Sequence, residues 1–311
     1  MFGSKKERAA FFSIISNTTL IVIKIIVGMV TASVSIVSEA IHSGIDLLAS
    51  AIAYASVKKA SVPADKEHNF GHGKYENVSA LVEAILIILA SLYIIYMAVV
   101  KFSTMEPVSY PLVAVVVMGI SAISNYCIAK YLYKVAKETD SIALEADAKH
   151  LSVDVYTSVG VFVSLLIVSL TGWRVLDSIC AMVVAGLIFY EGYLMTNKAL
   201  KDLLDTALPD EEVRIIKSVL KGKNGLIKDY HDLRTRKSGS ERHIDLHLTV
   251  CKNEPMYKIH DTMDTIEKEL QDTIGDCTVM IRPEPCEHST NNKCCPKECS
   301  MDNNKKAVQD E

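Results

Sequence analysis

Six long apolar stretches fill the first two thirds of the chain, near residues 9–31, 33–57, 77–101, 110–133, 143–171 and 175–199. Each is long enough for a helix that crosses a bilayer, which takes about 20 residues. The fifth opens on EADAKHLSVD and is the most polar of the six. From about residue 205 the pattern changes. ALPDEEVRIIKSVLKG spaces its apolar residues at helical intervals behind an acidic first turn. KDYHDLRTRKSG is strand-like, and RHIDLHLTV alternates polar and apolar as a half-buried strand does. MYKIHDTMDTIEKELQDTI is again helical, and CTVMIRP is a short final strand. The expected fold class is an all-α six-helix transmembrane bundle followed by a small α/β domain of order α-β-β-α-β. The bundle takes residues 1–204 and the small domain 205–286. Residues 287–311 have no apolar periodicity and read as a disordered, cysteine-rich tail.

Composition agrees with a membrane chain: half of the residues are hydrophobic and mean hydropathy is +0.22. A net charge of −4, with no basic block interleaved with aromatics, gives no sign of a nucleic-acid partner. Lysines cluster in alternate loops. Lys58, Lys59, Lys66 and Lys74 lie between spans two and three, and Lys130, Lys134 and Lys137 between four and five. The other turns have only Lys101 and Arg174 near them. By the positive-inside rule these lysine-bearing loops and both termini are cytoplasmic in a multi-pass protein of the cell membrane. The first apolar run is long and lacks a small-residue cleavage site, so it reads as a retained span. A disulfide framework is accordingly not expected, and the tail cysteines read as cytosolic thiols.

Ionisable residues inside the spans change the picture. SEAIHSGID puts His42 and Asp46 four apart on one helix face, and DAKHLSVDV does the same with His150 and Asp154. Burying such groups costs on the order of 2.5–3.5 kcal/mol each in the charged form. One HxxxD reads equally well as a packing pair. Two copies in separate spans, set face to face, supply two imidazole nitrogens and two carboxylates. That is a tetrahedral-capable set whose charge neutralises a divalent cation. Lys24 is expected to snorkel to an interface. Glu39, Glu83, Asn125, Asp147 and Asp177 either line a wet cavity or, as the favoured reading, pair with neighbours. The loop ADKEHNFGHGKYE brings Asp65, His68 and His72 within eight residues, beside glycines that permit tight turning. It is a second candidate for Zn²⁺, with a solvated loop as the alternative. His231, His243, His247 and His260 in the small domain read, on composition alone, mostly as surface histidines.

TASVSIVSEAIHSGIDLLAS, PADKEHNFGHGKYE, the second HxxxD and HDLRTRKSG occur in an order and spacing that resemble the cation diffusion facilitator family. The likeness is to its bacterial zinc/iron cation-efflux branch and runs from about residue 8 to 286. The resemblance implies a homodimer of six-span protomers, a ferredoxin-like cytosolic metal-sensing domain, and exchange of divalent metal for protons. It implies a transport site at His42, Asp46, His150 and Asp154, and a second metal site at Asp65, His68 and His72. It also implies cytosolic ligands at His231, His247 and His260. Lys74 matches a lysine that pairs in relatives with an acidic residue after the sixth span, here Asp205. Members of the branch often carry Asp where this chain has His42, and two His with two Asp resemble the zinc-preferring pattern. The last strand departs from the branch. Relatives read I-H-x-D-P where this chain reads Ile281-Arg282-Pro283-Glu284-Pro285. Glu284 can replace the Asp as a ligand; Arg282 cannot replace the His. One reduced cytosolic site is therefore expected. Cys286, His288, Cys294, Cys295 and Cys299 either add soft ligands or do nothing specific.

The expected function is proton-coupled efflux of Zn²⁺, with the metal as substrate and regulatory ligand and no cofactor. Partners are a second copy of the chain, divalent metal ions, protons and the lipid bilayer. GxxxxGK[ST] is absent, so the drive is an ion gradient. The lack of HExxH and of a spare general base argues against an intramembrane metalloenzyme. A metal sensor that moves nothing stays open, as do Fe²⁺, Cd²⁺, Co²⁺ and Mn²⁺ as cargo.

Overall fold

The computed structural model describes residues 4–31, 34–104, 112–171, 175–221, 227–251 and 254–286. The cysteine-rich tail expected over 287–311 lies outside them. The chain forms two compact units, Met1–Leu204 and Asp205–Glu311.

The first unit is helical: α1 Lys5–Thr31, α2 Val34–Ala60, α3 Lys74–Thr104, α4 Leu112–Thr139, α5 Ile142–Thr171 and α6 Val175–Leu203. Among the described residues, Lys5–Val27, Lys74–Val100 and Ile179–Leu203 are long and apolar enough to cross a membrane. The helices overrun the apolar stretches at their lysine-bearing ends: α2 continues through Lys58 and Lys59, and α3 begins at Lys74. Lys and Glu are good helix formers, so a helix need not stop where its apolar run stops.

Small residues set the helix packing. Ala9 and Ala10 of α1, Ala129 and Ala136 of α4, and Ala143 and Ala148 of α5 lie in one buried cluster. Alanine at such crossings lets backbones approach closely. Gly192 of α6 goes further, since a Cβ there would sit 2.8 Å from Ile88 of α3. Large apolar side chains such as Val22, Ile23, Leu89 and Leu187 face outward. Three helix ends are tied by one polar knot. Ser141 accepts from the Leu144 N–H at the start of α5 and donates to Glu76 of α3 at 2.5 Å, and Glu76 also holds Lys6 of α1 at 3.1 Å. Lys24 does not snorkel. It is buried and donates to Ser43 Oγ at 2.6 Å, because a hydroxyl from α2 stands within its reach.

The second unit runs α7 Asp210–Lys221, β1 Ile227–Ser238, β2 Glu241–Val250, α8 Met256–Ile274 and β3 Cys277–Pro285. The sheet order is β1-β2-β3, with β1 antiparallel and β3 parallel to β2. Gly239, at φ 63, makes the tight turn between Ser238 and Glu241. The alternation in β2 decides which face is covered. Ile244, Leu246, Leu248 and Val250 point into a core with Ile216 and Leu220 of α7 and Ile266 and Leu270 of α8. Asp245, His247 and Thr249 therefore point to the other face. Cys127, Cys180 and Cys277 are free thiols. Cys251 is disulfide-bonded.

Candidate metal sites

In the first unit, α2 and α5 pack together and carry the two HxxxD pairs. His150 Nε2 lies 3.3 Å from Asp46 Oδ1, with both side chains buried. An ion about 2.0–2.1 Å from each tetrahedral ligand sets those ligands about 3.3 Å apart. The spacing also suits a hydrogen bond, so distance alone does not select the metal. Asp154 lies one turn beyond His150 and accepts from Asn125 Nδ2 of α4 at 3.1 Å. This amide fixes the carboxylate's orientation, the part played by outer-shell partners of metal ligands. The side chain of His42 lies outside the described residues, as do those of Glu39 and Asp177. The expected pairing of Asn125 is present. Asp147 accepts from Ser50 at 2.9 Å, and Glu83 accepts from Ser79 only at 3.4 Å.

The 61–73 loop brings Asp65, His68 and His72 together, with one ligand atom from each within 4.8 Å of the others. Asp65 Oδ1 accepts the backbone N–H groups of His68 at 2.7 Å and Glu67 at 2.9 Å. Those amides, His68 first, hold the carboxyl below its ordinary range, with a smaller pull from the two imidazoles. Gly71, at φ 78, turns the chain so that His72 comes back over Asp65. His72 Nδ1 donates to the Val62 carbonyl at 3.2 Å, which leaves Nε2 as the lone-pair atom, 3.4 Å from Asp65 Oδ2. His68 Nδ1 stands 3.4 Å from Oδ1. Both of these imidazole nitrogens are buried with no hydrogen-bond partner. Two buried imidazole nitrogens and a carboxylate converging with no hydrogen bond among them suit a Zn²⁺ ion better than they suit one another.

In the second unit the sheet face away from the helices carries the third cluster. His231 of β1 is paired with His247 of β2, and Glu284 of β3 sits opposite Thr249, on the same face two residues on. His231 Nε2 is 3.1 Å and His247 Nδ1 3.2 Å from the two oxygens of Glu284. These three form a possible metal-holding group. His260 does not join it. It faces Asp264 at 3.0 Å within α8 and is mostly exposed, because α8 covers the opposite face of the sheet. Arg282 Nε stands 3.6 Å from Glu284, bringing a positive charge against the carboxylate from the side. Sequence reasoning missed Asp232. The ladder between β1 and β2 is irregular between His231 and Arg234, Asp232 adopts φ 50, and its carboxylate comes within 3.7 Å of His247 Nδ1. An Asp beside a His inside a strand pattern was the only available signal. His243 lies elsewhere, buried under Arg236, and both burial and that cation push its imidazole below the ordinary histidine range.

A family model described as the cation efflux transmembrane domain matches residues 10–204, and one described as the cation efflux protein, cytoplasmic domain, matches residues 208–286. The chain is 32% identical to a cation-efflux pump FieF of Cronobacter sakazakii over 285 residues, 92% of this chain and 94% of that one. It is 33% identical to a cation-efflux pump FieF of Klebsiella pneumoniae over 284 residues, covering 91% and 94%. An uncharacterized transporter of Synechocystis sp. is 31% identical over 258 residues, 83% of each chain.

Proposed function

Because this chain belongs to the cation diffusion facilitator family, whose members are cation-efflux transporters and not enzymes, we propose that it exports Zn²⁺ in exchange for protons. In this reading six helices cross the cell membrane with both termini in the cytoplasm, and the protein works as a homodimer. The observation that carries the reading is the buried His150–Asp46 contact, which joins one HxxxD to the other across α5 and α2.

Zn²⁺ from the cytosol takes His42, Asp46, His150 and Asp154 as its four ligands. Asn125 keeps the Asp154 carboxylate aimed at the ion. The helices then reorient and the metal leaves on the far side. Protons occupy the vacated imidazoles and carboxylates and return with them. Histidine suits the task because its ordinary pKa, about 6.5, lets it shed a proton for metal and regain it near neutral pH. The Asp65/His68/His72 loop holds a second, more exposed ion. The His231/His247/Glu284 cluster is a regulatory site that reads cytosolic metal. Two His with two Asp favour zinc over Fe²⁺, Cd²⁺, Co²⁺ or Mn²⁺.

The test is metal flux in proteoliposomes across a pH gradient, with the five metals in competition. Asp154→Ala is expected to abolish Zn²⁺ uptake; wild-type rates in that variant would falsify the site assignment.

A further inference from the structure

One turn from the His150–Asp46 contact lies a polar layer outside the four proposed metal ligands. Asp147 precedes His150 by three residues on α5, and Ser50 follows Asp46 by four on α2, so both share the faces that carry the metal pair. Ser50 donates to Asp147 Oδ1 at 2.9 Å and is itself held by Asn17 at 2.8 Å and Ser13 at 3.0 Å of α1. Glu83 of α3 completes the layer: Ala84 beside it and Ala146 beside Asp147 lie in one buried cluster where α3 packs on α5. Both carboxyls are fully buried.

Neither Glu83 nor Asp147 makes an ion pair among the described residues, and neither is bonded to a metal-site residue. Each leaves one oxygen, Glu83 Oε2 and Asp147 Oδ2, buried with no hydrogen-bond partner. Two ionised carboxylates are acceptors only, so they repel and cannot satisfy one another. A single proton removes one of the two charges from the layer and turns one acceptor into a donor. The surroundings suit a proton better than a metal ion. Both side chains are sealed from solvent, and the hydroxyl and amide groups nearby are already committed to each other. The ionisable groups that act on Asp147 from the packed helices, besides Glu83, are His150 of α5 and Asp46 of α2.

We propose that Glu83 and Asp147 form a shared proton-binding site, distinct from the metal ligands, that holds one of the protons exchanged against the metal. The inference rests on the antiport reading above. Its coupling is geometric: any shift of α2 against α5 that opens the His150–Asp46 contact also disturbs the Ser50–Asp147 bond. The proton leaves the acid pair as metal loads and returns when the metal has gone.

The test is Glu83→Gln in the full-length protein, which preserves shape and acceptance from Ser79 but cannot titrate. Infrared spectra at neutral pH should show a protonated-carboxyl band in the wild type that E83Q lacks. In proteoliposomes, E83Q should bind Zn²⁺ with unchanged stoichiometry and exchange about one proton fewer per metal ion. An unchanged band and proton count would overturn the proposal. Loss of one bound Zn²⁺ would overturn it too, by making the pair a metal site. Asp147→Asn gives the same spectral readout from the other side of the pair if E83Q folds poorly. Wild-type metal flux without proton counter-movement refutes antiport, whereas the infrared band still decides whether the acid pair holds a proton.

Discussion

Asn125 donates to Asp154 at 3.1 Å, and in the proposed transport site it orients that carboxylate without being a ligand itself. Loss of such an outer-shell partner lowers metal affinity about 10–100-fold. Asn125→Ala should therefore weaken Zn²⁺ binding by that factor in a competition titration while leaving its stoichiometry intact. Binding within twofold of wild type, as an order of magnitude, would leave the amide without a role. At the loop, the amides of His68 and Glu67 hold Asp65 below its ordinary range. A depressed carboxyl gives its contribution at all pH values above its ordinary range and loses it only as pH falls through the lowered value. Asp65 should then stay ionised as pH falls through the ordinary carboxylate range, roughly 3.9 for a free Asp, when its carboxyl resonance is followed by NMR. A carboxyl midpoint at or above that ordinary value would contradict this. The two HxxxD pairs stood out at this scale because ionisable residues in apolar helix carry a burial penalty, and of their members the structure joins Asp46 and His150. Asn125 was visible only as a polar residue in a span, since its partner comes from another helix. The burial of Lys24 was not legible, because the hydroxyl that receives it lies on α2.

At the scale of the element, β2 is where sequence and structure agree most closely. Its alternation assigns Ile244, Leu246 and Leu248 to the core and His247 to the opposite face. Leu246→Ala, at a fully packed position, should destabilise the second unit by about 2–5 kcal/mol in a denaturant titration of the full chain. The strands also decide the ligand set. Glu284 reaches His231 and His247 because β3 runs parallel to β2 in this register, which no local pattern specifies. The bulge that turns Asp232 toward His247 was equally invisible, since bulges arise from pairing and not from composition. Within the single chain His260 stays apart from this group, since a helix periodicity places it on a face but does not say on which side of the sheet that helix packs. His260→Ala should accordingly leave Zn²⁺ stoichiometry unchanged by calorimetry. Arg282→His should raise it by about one ion per protomer, because the guanidinium now beside Glu284 gives way to a lone-pair donor. An unchanged count in the second variant would show that Arg282 is not what limits the site.

Over the whole molecule, the division into a helical unit and an α/β unit followed from one change in period near residue 205, from continuous apolar runs to amphipathic helix and alternating strand. The apolar runs marked the helices well. Their ends were legible only to within a few residues, because Lys58, Lys59 and Lys74 continue helices beyond the membrane-like stretch. The direction of transport, the metal and the coupling ion are properties of the assembled protein in a membrane, and they turn on one claim: that the two HxxxD pairs form a site alternately filled by Zn²⁺ and protons. The most direct measurement is Zn²⁺ uptake into proteoliposomes with an internal pH reporter, in wild type and Asp46→Asn. Zn²⁺ entry is expected to be driven by an acid interior, to release protons in step, to stop when an ionophore collapses the gradient, and to be absent in Asp46→Asn. Zn²⁺ entry that is indifferent to the gradient, or that persists in Asp46→Asn at the wild-type rate, would contradict it.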